Sequence, residues 1–262
     1  MERLKPNVLV LKTDGTNCEL ETAKGFELSG GNPEIVMMNQ LKEKEKSMLD
    51  YGIVALPGGF AYGDDIRAGK ILAIELQVYL ADQIYEFTQR KNGLIIGICN
   101  GFQVLVRTGL LPFGTMGEVR ATLDNNTSGH FDHRPIKLRA QEKNSCVFLQ
   151  DMNGIVEYKV AHGEGRFYAP SETIDKIEKQ HQVVFRYCDI EGNPTQEYPS
   201  NPNGSLNAIA GICDPTGKIL GLMPHPERSI KKTQYDNWRR MGDFKPEGLQ
   251  IFEKMVSYAT QM

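Results

Sequence analysis

The strongest constraint on this chain is the alternation of short apolar runs with helical patterns through its first half. Residues 7–11 (NVLVL), 34–38, 52–56 (GIVAL) and 93–98 (GLIIGI) are brief apolar segments without strict polar alternation. Runs of that length and character read as strands covered on both faces. Between them lie helical signals. Thr16 or Asn17 can cap a helix reaching Glu27, which Gly30 and Gly31 would stop. Residues 42–49 read as a polar helix. Residues 69–90 carry Ile71, Leu72, Leu76, Tyr79, Leu80, Ile84 and Phe87 at helical spacing, and a further helix follows Cys99 to about Arg107. Strands separated by helices predict an α/β fold, three layers αβα with a mainly parallel central sheet. In such sheets ligands sit beyond the carboxyl ends of the strands, where Cys99 and Gly58-Gly59 both fall.

The second half is richer in strands and loops. Residues 134–139, 155–161, 183–187, 206–213 and 219–223 read as strands, and residues 214–217 (DPTG) as a turn. Residues 192–204, rich in Asn, Pro and Ser, are expected to be an exposed loop. Residues 246–262 read as a closing helix. No repeat or linker divides the 262 residues, so a single domain is expected, with a core over about 7–230 and an extension with a helix over 231–262.

A formal net charge of -3 gives no reason to expect nucleic-acid or membrane binding. No apolar run suits a bilayer span, and no amino-terminal signal pattern is evident. The five cysteines (Cys18, Cys99, Cys146, Cys188 and Cys213) are odd in number and lack C-x-x-C spacing, which fits free thiols in a reducing cytoplasm. His130 and His133 are spaced like a metal pair but lack a third ligand, and are expected at the surface; no metal is expected.

Cys99 stands apart from the other cysteines by its neighbours. Gly97-Ile98-Cys99-Asn100-Gly101 is a nucleophile elbow, G-x-nucleophile-x-G, with cysteine as the nucleophile. The chain turns sharply from strand to helix, and the flanking glycines keep side chains out of the turn. The sulfur then sits at a helix amino terminus, whose dipole favours the attacking thiolate, and the Asn100 N–H points where an oxyanion forms. Among five histidines, His225 lies in Met223-Pro224-His225-Pro226-Glu227-Arg228 after an apolar strand. Glu227, two residues on, leaves an extended segment on the same side and can fix the imidazole tautomer. Gly59, in Pro57-Gly58-Gly59-Phe60 after the third strand, is the candidate for a second oxyanion donor.

These residues resemble those of the class I (triad) glutamine amidotransferases, whose signature is a cysteine elbow with Gln four residues beyond, here Cys99 and Gln103, and a late His-x-Glu, here His225-Pro226-Glu227. Narrower strings include Pro57-Gly58-Gly59-Phe60-Ala61-Tyr62-Gly63-Asp64-Asp65, Ala161-His162-Gly163-Glu164-Gly165-Arg166-Phe167 and Asn201-Pro202-Asn203-Gly204-Ser205. With the MPHPER run, they resemble the glutaminase subunits of phosphoribosylformylglycinamidine synthases. The resemblance implies a flavodoxin-like domain with Cys99 as nucleophile, His225 as base and Glu227 as its orienter. It further implies that Gly59 and Asn100 hold the oxyanion, that Gly58, Phe60 and Gln103 contact L-glutamine, and that His162 and Glu164 lie near the substrate or a partner interface. Cys18 has no catalytic role in that pattern. The resemblance implies no cofactor in this chain, with ATP and magnesium on a large synthetase subunit joined by a small third subunit. Another acceptor, a related cysteine hydrolase and a non-catalytic subunit are the competing readings. Residues 229–246 look longer than in compact relatives.

Overall fold

The computed structural model describes residues 5–261. The strands are β1 (Asn7–Lys12), β2 (Asn32–Met37), β3 (Ile53–Leu56), β4 (Leu94–Ile98), β5 (Thr122–Asn125), β6 (Asp132–Ala140), β7 (Ile155–His162), β8 (Glu164–Tyr168), β9 (Val183–Cys188), β10 (Ile209–Cys213) and β11 (Ile219–Leu222). The α-helices are α1 (Glu19–Leu28), α2 (Met38–Lys42), α3 (Lys70–Tyr79), α4 (Ala81–Tyr85), α5 (Asn100–Thr108), α6 (Ser171–Lys179) and α7 (Leu249–Ala259).

A nine-stranded sheet runs β2-β1-β3-β4-β11-β10-β9-β6-β7, and β5 pairs with β8 in a small second sheet. The first five strands pair in parallel; β10 and β6 are reversed, so the sheet is mixed but mostly of one direction. Alternation along β1 produces the layers. Val8 packs towards Val256 of α7, beside the Phe26–Phe252 contact that joins α1 to α7. Leu9 and Leu11 face the other way, onto Leu76, Leu80, Ile84 and Leu105. Both faces of the parallel half are therefore covered, as its unbroken apolar strands require.

Several local expectations are corrected. The helix expected over 42–49 is instead α2, because Met38 and Leu41 supply the buried face and the Met37 N–H donates to the Gln40 side chain; Lys44 takes φ 62° and the turn ends. The helix expected over 69–90 breaks at Leu80, where φ is -123°. The break lets Leu80 and Ile84 reach the cluster around Leu9 and Leu41. Helix α1 starts at Glu19 with Cys18 as its cap residue, not Thr16 or Asn17. The strand expected from Leu206 begins at Ile209, since Asn207 and Ala208 both take positive φ. The closing helix starts at Leu249 rather than residue 246, and Met262 lies outside the described residues. Strands β5 and β8 and helix α6 carried too little apolar periodicity to be read from the sequence. Among the described residues, no helix is long and apolar enough to cross a membrane.

Candidate active site

The elbow forms as its sequence dictates. Cys99 follows β4 directly, caps α5 and takes φ 51° and ψ -103°, a strained conformation for a residue with a side chain. Gly101 allows it: a Cβ there would lie 1.9 Å from the Leu56 carbonyl oxygen. The Cys99 N–H donates to the Leu222 carbonyl (2.8 Å), tying the elbow to the end of β11. Three residues beyond Leu222, His225 is pinned by its own N–H to the Lys159 carbonyl of β7 (2.7 Å). Thus β4, β11 and β7 converge on one site.

There the His225 Nδ1 lies 2.5 Å from Glu227 Oε1, with both side chains buried. Burial opposes charge on the imidazole, but the Glu227 carboxylate and the Cys99 sulfur outweigh it and raise the His225 pKa well above its ordinary value. Among the described residues His225 Nε2 has no hydrogen-bond partner, and Cys99 Sγ donates to the Ala161 carbonyl (3.7 Å). Gly58 borders the ring itself, since a Cβ there would stand 2.7 Å from His225 Cε1. Gly59 takes φ 139° and lies against the segment from Gly15 to Asn17.

A cavity of about 470 Å³ opens over the sulfur, lined in part by Gly59, Phe60, Gln103, His162 and Glu164. Phe60 is exposed at this cavity. The Gln103 amide donates to the Glu164 carbonyl (2.6 Å), and the Asn100 amide donates to both Gln103 Oε1 and Asp64 Oδ1 (each 3.1 Å). Glu164 Oε2 lies 3.6 Å from the Arg107 guanidinium. Burial pushes the Asp64 carboxyl up, opposed by hydrogen bonds from the Gly69 N–H and the Asn100 amide. His162 is buried; burial and the nearby His225 charge hold it down at about 4, so it is a neutral group near pH 7. Its Nδ1 lies 3.1 Å from Asn126 Oδ1, and the Asn126 amide donates to the carbonyls of His130 and His162.

Of the sequence-predicted residues, Cys99, Gly59, Phe60, Gln103, His162 and Glu164 line the cavity, whereas Gly58, Asn100, His225 and Glu227 are buried and do not line it. His130 and His133 are exposed as expected; His130 also lines the cavity. Residues 192–204 depart from expectation at their end. Asn201 and Asn203 are buried, because Asn203 Nδ2 donates to the Gly165 carbonyl (2.9 Å) and the Asn201 side chain accepts from Gly204 and Ser205 N–H groups. This buried turn braces the start of β8, next to the end of β7 where His162 lies. Asp64, Asn126 and the Ala161 carbonyl were not singled out from sequence; only the strings containing Asp64 and Ala161 marked them.

Comparison with known proteins assigns the family. Residues 5–259 match the CobB/CobQ-like glutamine amidotransferase domain family. The chain is 43% identical to the phosphoribosylformylglycinamidine synthase subunit PurQ of Methanococcus maripaludis, over 98% of this chain and 99% of that one. It is 42% identical to the same subunit of Dehalococcoides mccartyi, with the same coverage. A solved PurLQS structure from Thermotoga maritima superposes with a TM-score of 0.73 at 27% identity, covering 97% of this chain and 99% of that one. The chain belongs to the CobB/CobQ-like glutamine amidotransferase domain family and, within it, to the PurQ subunits of phosphoribosylformylglycinamidine synthase.

Proposed function

We propose that this chain hydrolyses L-glutamine through a Cys99 thioester and passes ammonia to a separate ATP-dependent synthetase subunit in purine biosynthesis. The observation that carries the reading is the elbow sulfur at the floor of the cavity, beside a buried imidazole–carboxylate pair. The cavity volume of about 470 Å³ lies in the range of roughly 300–1,000 Å³ common for small-molecule sites.

In this mechanism the Cys99 thiolate attacks the side-chain carboxamide carbon of glutamine. The N–H groups of Gly59 and Asn100 hold the oxyanion, each donor being worth about 3 kcal/mol. Neither N–H has an acceptor among the described residues, and Asn100 opens α5, whose first N–H groups lack intrahelical partners. His225, as imidazolium fixed by Glu227, gives its proton to the departing nitrogen, and ammonia leaves. Neutral His225 then takes a proton from water, hydroxide attacks the thioester, and glutamate departs as the thiolate re-forms. No metal or organic cofactor enters these steps. Gln103, Phe60, Glu164 and His162 shape the cavity that would hold the amino-acid end of glutamine. ATP and magnesium would act on the large synthetase subunit, with a small third subunit as a further partner.

The test is a Cys99→Ala variant assembled with the synthetase. Glutamine-dependent synthesis should vanish while ammonia-dependent synthesis persists. Equal loss of both, or retained glutamine use, contradicts the assignment.

A further inference from the structure

Cys18 is a buried sulfur against the base to which the chemistry above gives no task. Its Sγ, a His225 ring nitrogen and a Glu227 carboxylate oxygen all lie within 4.8 Å of one another. The same sulfur accepts a hydrogen bond from Arg228 Nη2 (3.2 Å) and donates to Asn17 Oδ1 (3.2 Å). A neutral thiol offers one donor and a weak acceptor, and both are used here. The Cys18 N–H donates to the Gly58 carbonyl (3.3 Å), so the sulfur is held beside the same glycine that borders the ring.

The base needs such support. Glu227 fixes only the Nδ1 edge of His225, whereas Nε2 and the second oxygen of Glu227 are buried without hydrogen-bond partners among the described residues. A ring held at one edge can still tilt, and small displacements of a catalytic group are costly. The charged or titratable groups facing His225 are Glu227 on its own turn, Cys99 at the elbow, Cys18 ahead of α1, His162 from β7 and the neighbouring Arg228. Arg228 alone among them is a permanent cation. Left unanchored, its guanidinium would disfavour the imidazolium.

We infer that Cys18 and Arg228 form a positioning pair for the proposed base, the sulfur bracing the His225 ring and anchoring the guanidinium beside it. This rests on the assignment of Cys99 and His225 as nucleophile and base. Cys18 touches no reacting atom and is not a catalytic residue.

The experiment compares Cys18→Ala and Cys18→Ser in the full chain assembled with its synthetase. For Cys18→Ala, kcat for glutamine should fall about tenfold at unchanged KM, the signature of a group that acts on the transition state. The alkaline limb of the kcat profile should also move about half a pH unit or more towards acid, because the imidazolium is less favoured. Cys18→Ser, whose hydroxyl can keep both hydrogen bonds, should recover most of both changes. Should Cys18→Ala fold poorly, Arg228→Gln removes the permanent cation beside the ring and should move the same limb towards alkaline pH, and an unmoved limb overturns the inference. Wild-type kcat and pH limbs in Cys18→Ala overturn the inference. So does equal loss in Cys18→Ala and Cys18→Ser with a lowered melting temperature, which marks packing alone. If Cys99→Ala retains glutaminase activity, the underlying assignment fails instead, and the two failures are distinct.

Discussion

Gly58→Ala asks how tightly the imidazole is confined. The new methyl would lie 2.7 Å from His225 Cε1, 3.3 Å from Nδ1 and 3.4 Å from Cys18 Sγ. Ordinary contact begins near 3.4 Å, so the ring must retreat by about 0.7 Å. It has little freedom to do so. Its Nδ1 is already 2.5 Å from Glu227, it is buried, and its backbone N–H is bound to the Lys159 carbonyl. The retreat must either break the carboxylate contact or swing Nε2 away from the sulfur. A displacement near 1 Å costs about 100-fold in rate, so a retreat of about 0.7 Å should lower glutaminase kcat/KM about 25-fold, equivalent to about 1.9 kcal/mol. Overpacking typically costs about 1–3 kcal/mol of stability, offset by up to about 1 kcal/mol from the less flexible unfolded chain. The variant should therefore fold. The assay is glutamate release by the assembled complex, with ammonia-dependent synthesis as the internal control and a thermal melt alongside. A folded Gly58→Ala protein within threefold of wild-type glutaminase activity would show that the ring is not confined there, and the reasoning would fail.

Three further outcomes follow from the same geometry. Glu227→Gln keeps the shape but removes the carboxylate that orients and charges His225; activity should fall by roughly 10³–10⁴-fold, as when the carboxylate of a comparable triad is amidated, and a loss under tenfold in kinetics would contradict its role. His162, held down at about 4 against an ordinary 6.5, binds fewer protons folded than unfolded, so its contribution to stability is complete above pH 6.5 and is lost as pH falls towards 4. The loss is about 3 kcal/mol; urea unfolding at pH 7 and pH 4.5 should show a weaker pH dependence in His162→Asn, and identical slopes would refute this. Gly101→Ala would place a Cβ 1.9 Å from the Leu56 carbonyl oxygen, backbone against backbone. Soluble yield and melting temperature should drop sharply, and a wild-type melt would be inconsistent with the close approach of α5 to β3.

What could be read from sequence divides by range. The elbow is local: an apolar strand, two glycines and a cysteine within five residues dictate their own turn, and Cys99 adopts it. The His225–Glu227 contact is equally local, since two residues separate the partners. The polar run after Leu41 misled because the helix there is chosen by which side chains the sheet buries, and Met38 and Leu41 precede the charges. The Asn201–Ser205 turn looked like solvent-exposed loop because Asn, Pro and Ser favour turns wherever they fall; burial is possible only because backbone and amide groups from β8 and the turn itself complete its hydrogen bonds. Cys18 and Arg228 stand 210 positions apart, and no local pattern marks their meeting.

The adjacency of β4 and β11 has a wider consequence. These strands pair from Ile95–Ile219 to Ile98–Leu222, and the ladder continues to the Cys99 N–H. The spacing of sulfur and imidazole is thereby gauged by a rigid lattice of peptide units rather than by the long excursion of chain that separates them. That excursion can lengthen, shorten or acquire a docking face over evolutionary time while the reactive pair keeps its calibration, which frees this half of the molecule to diversify around an unchanging chemistry.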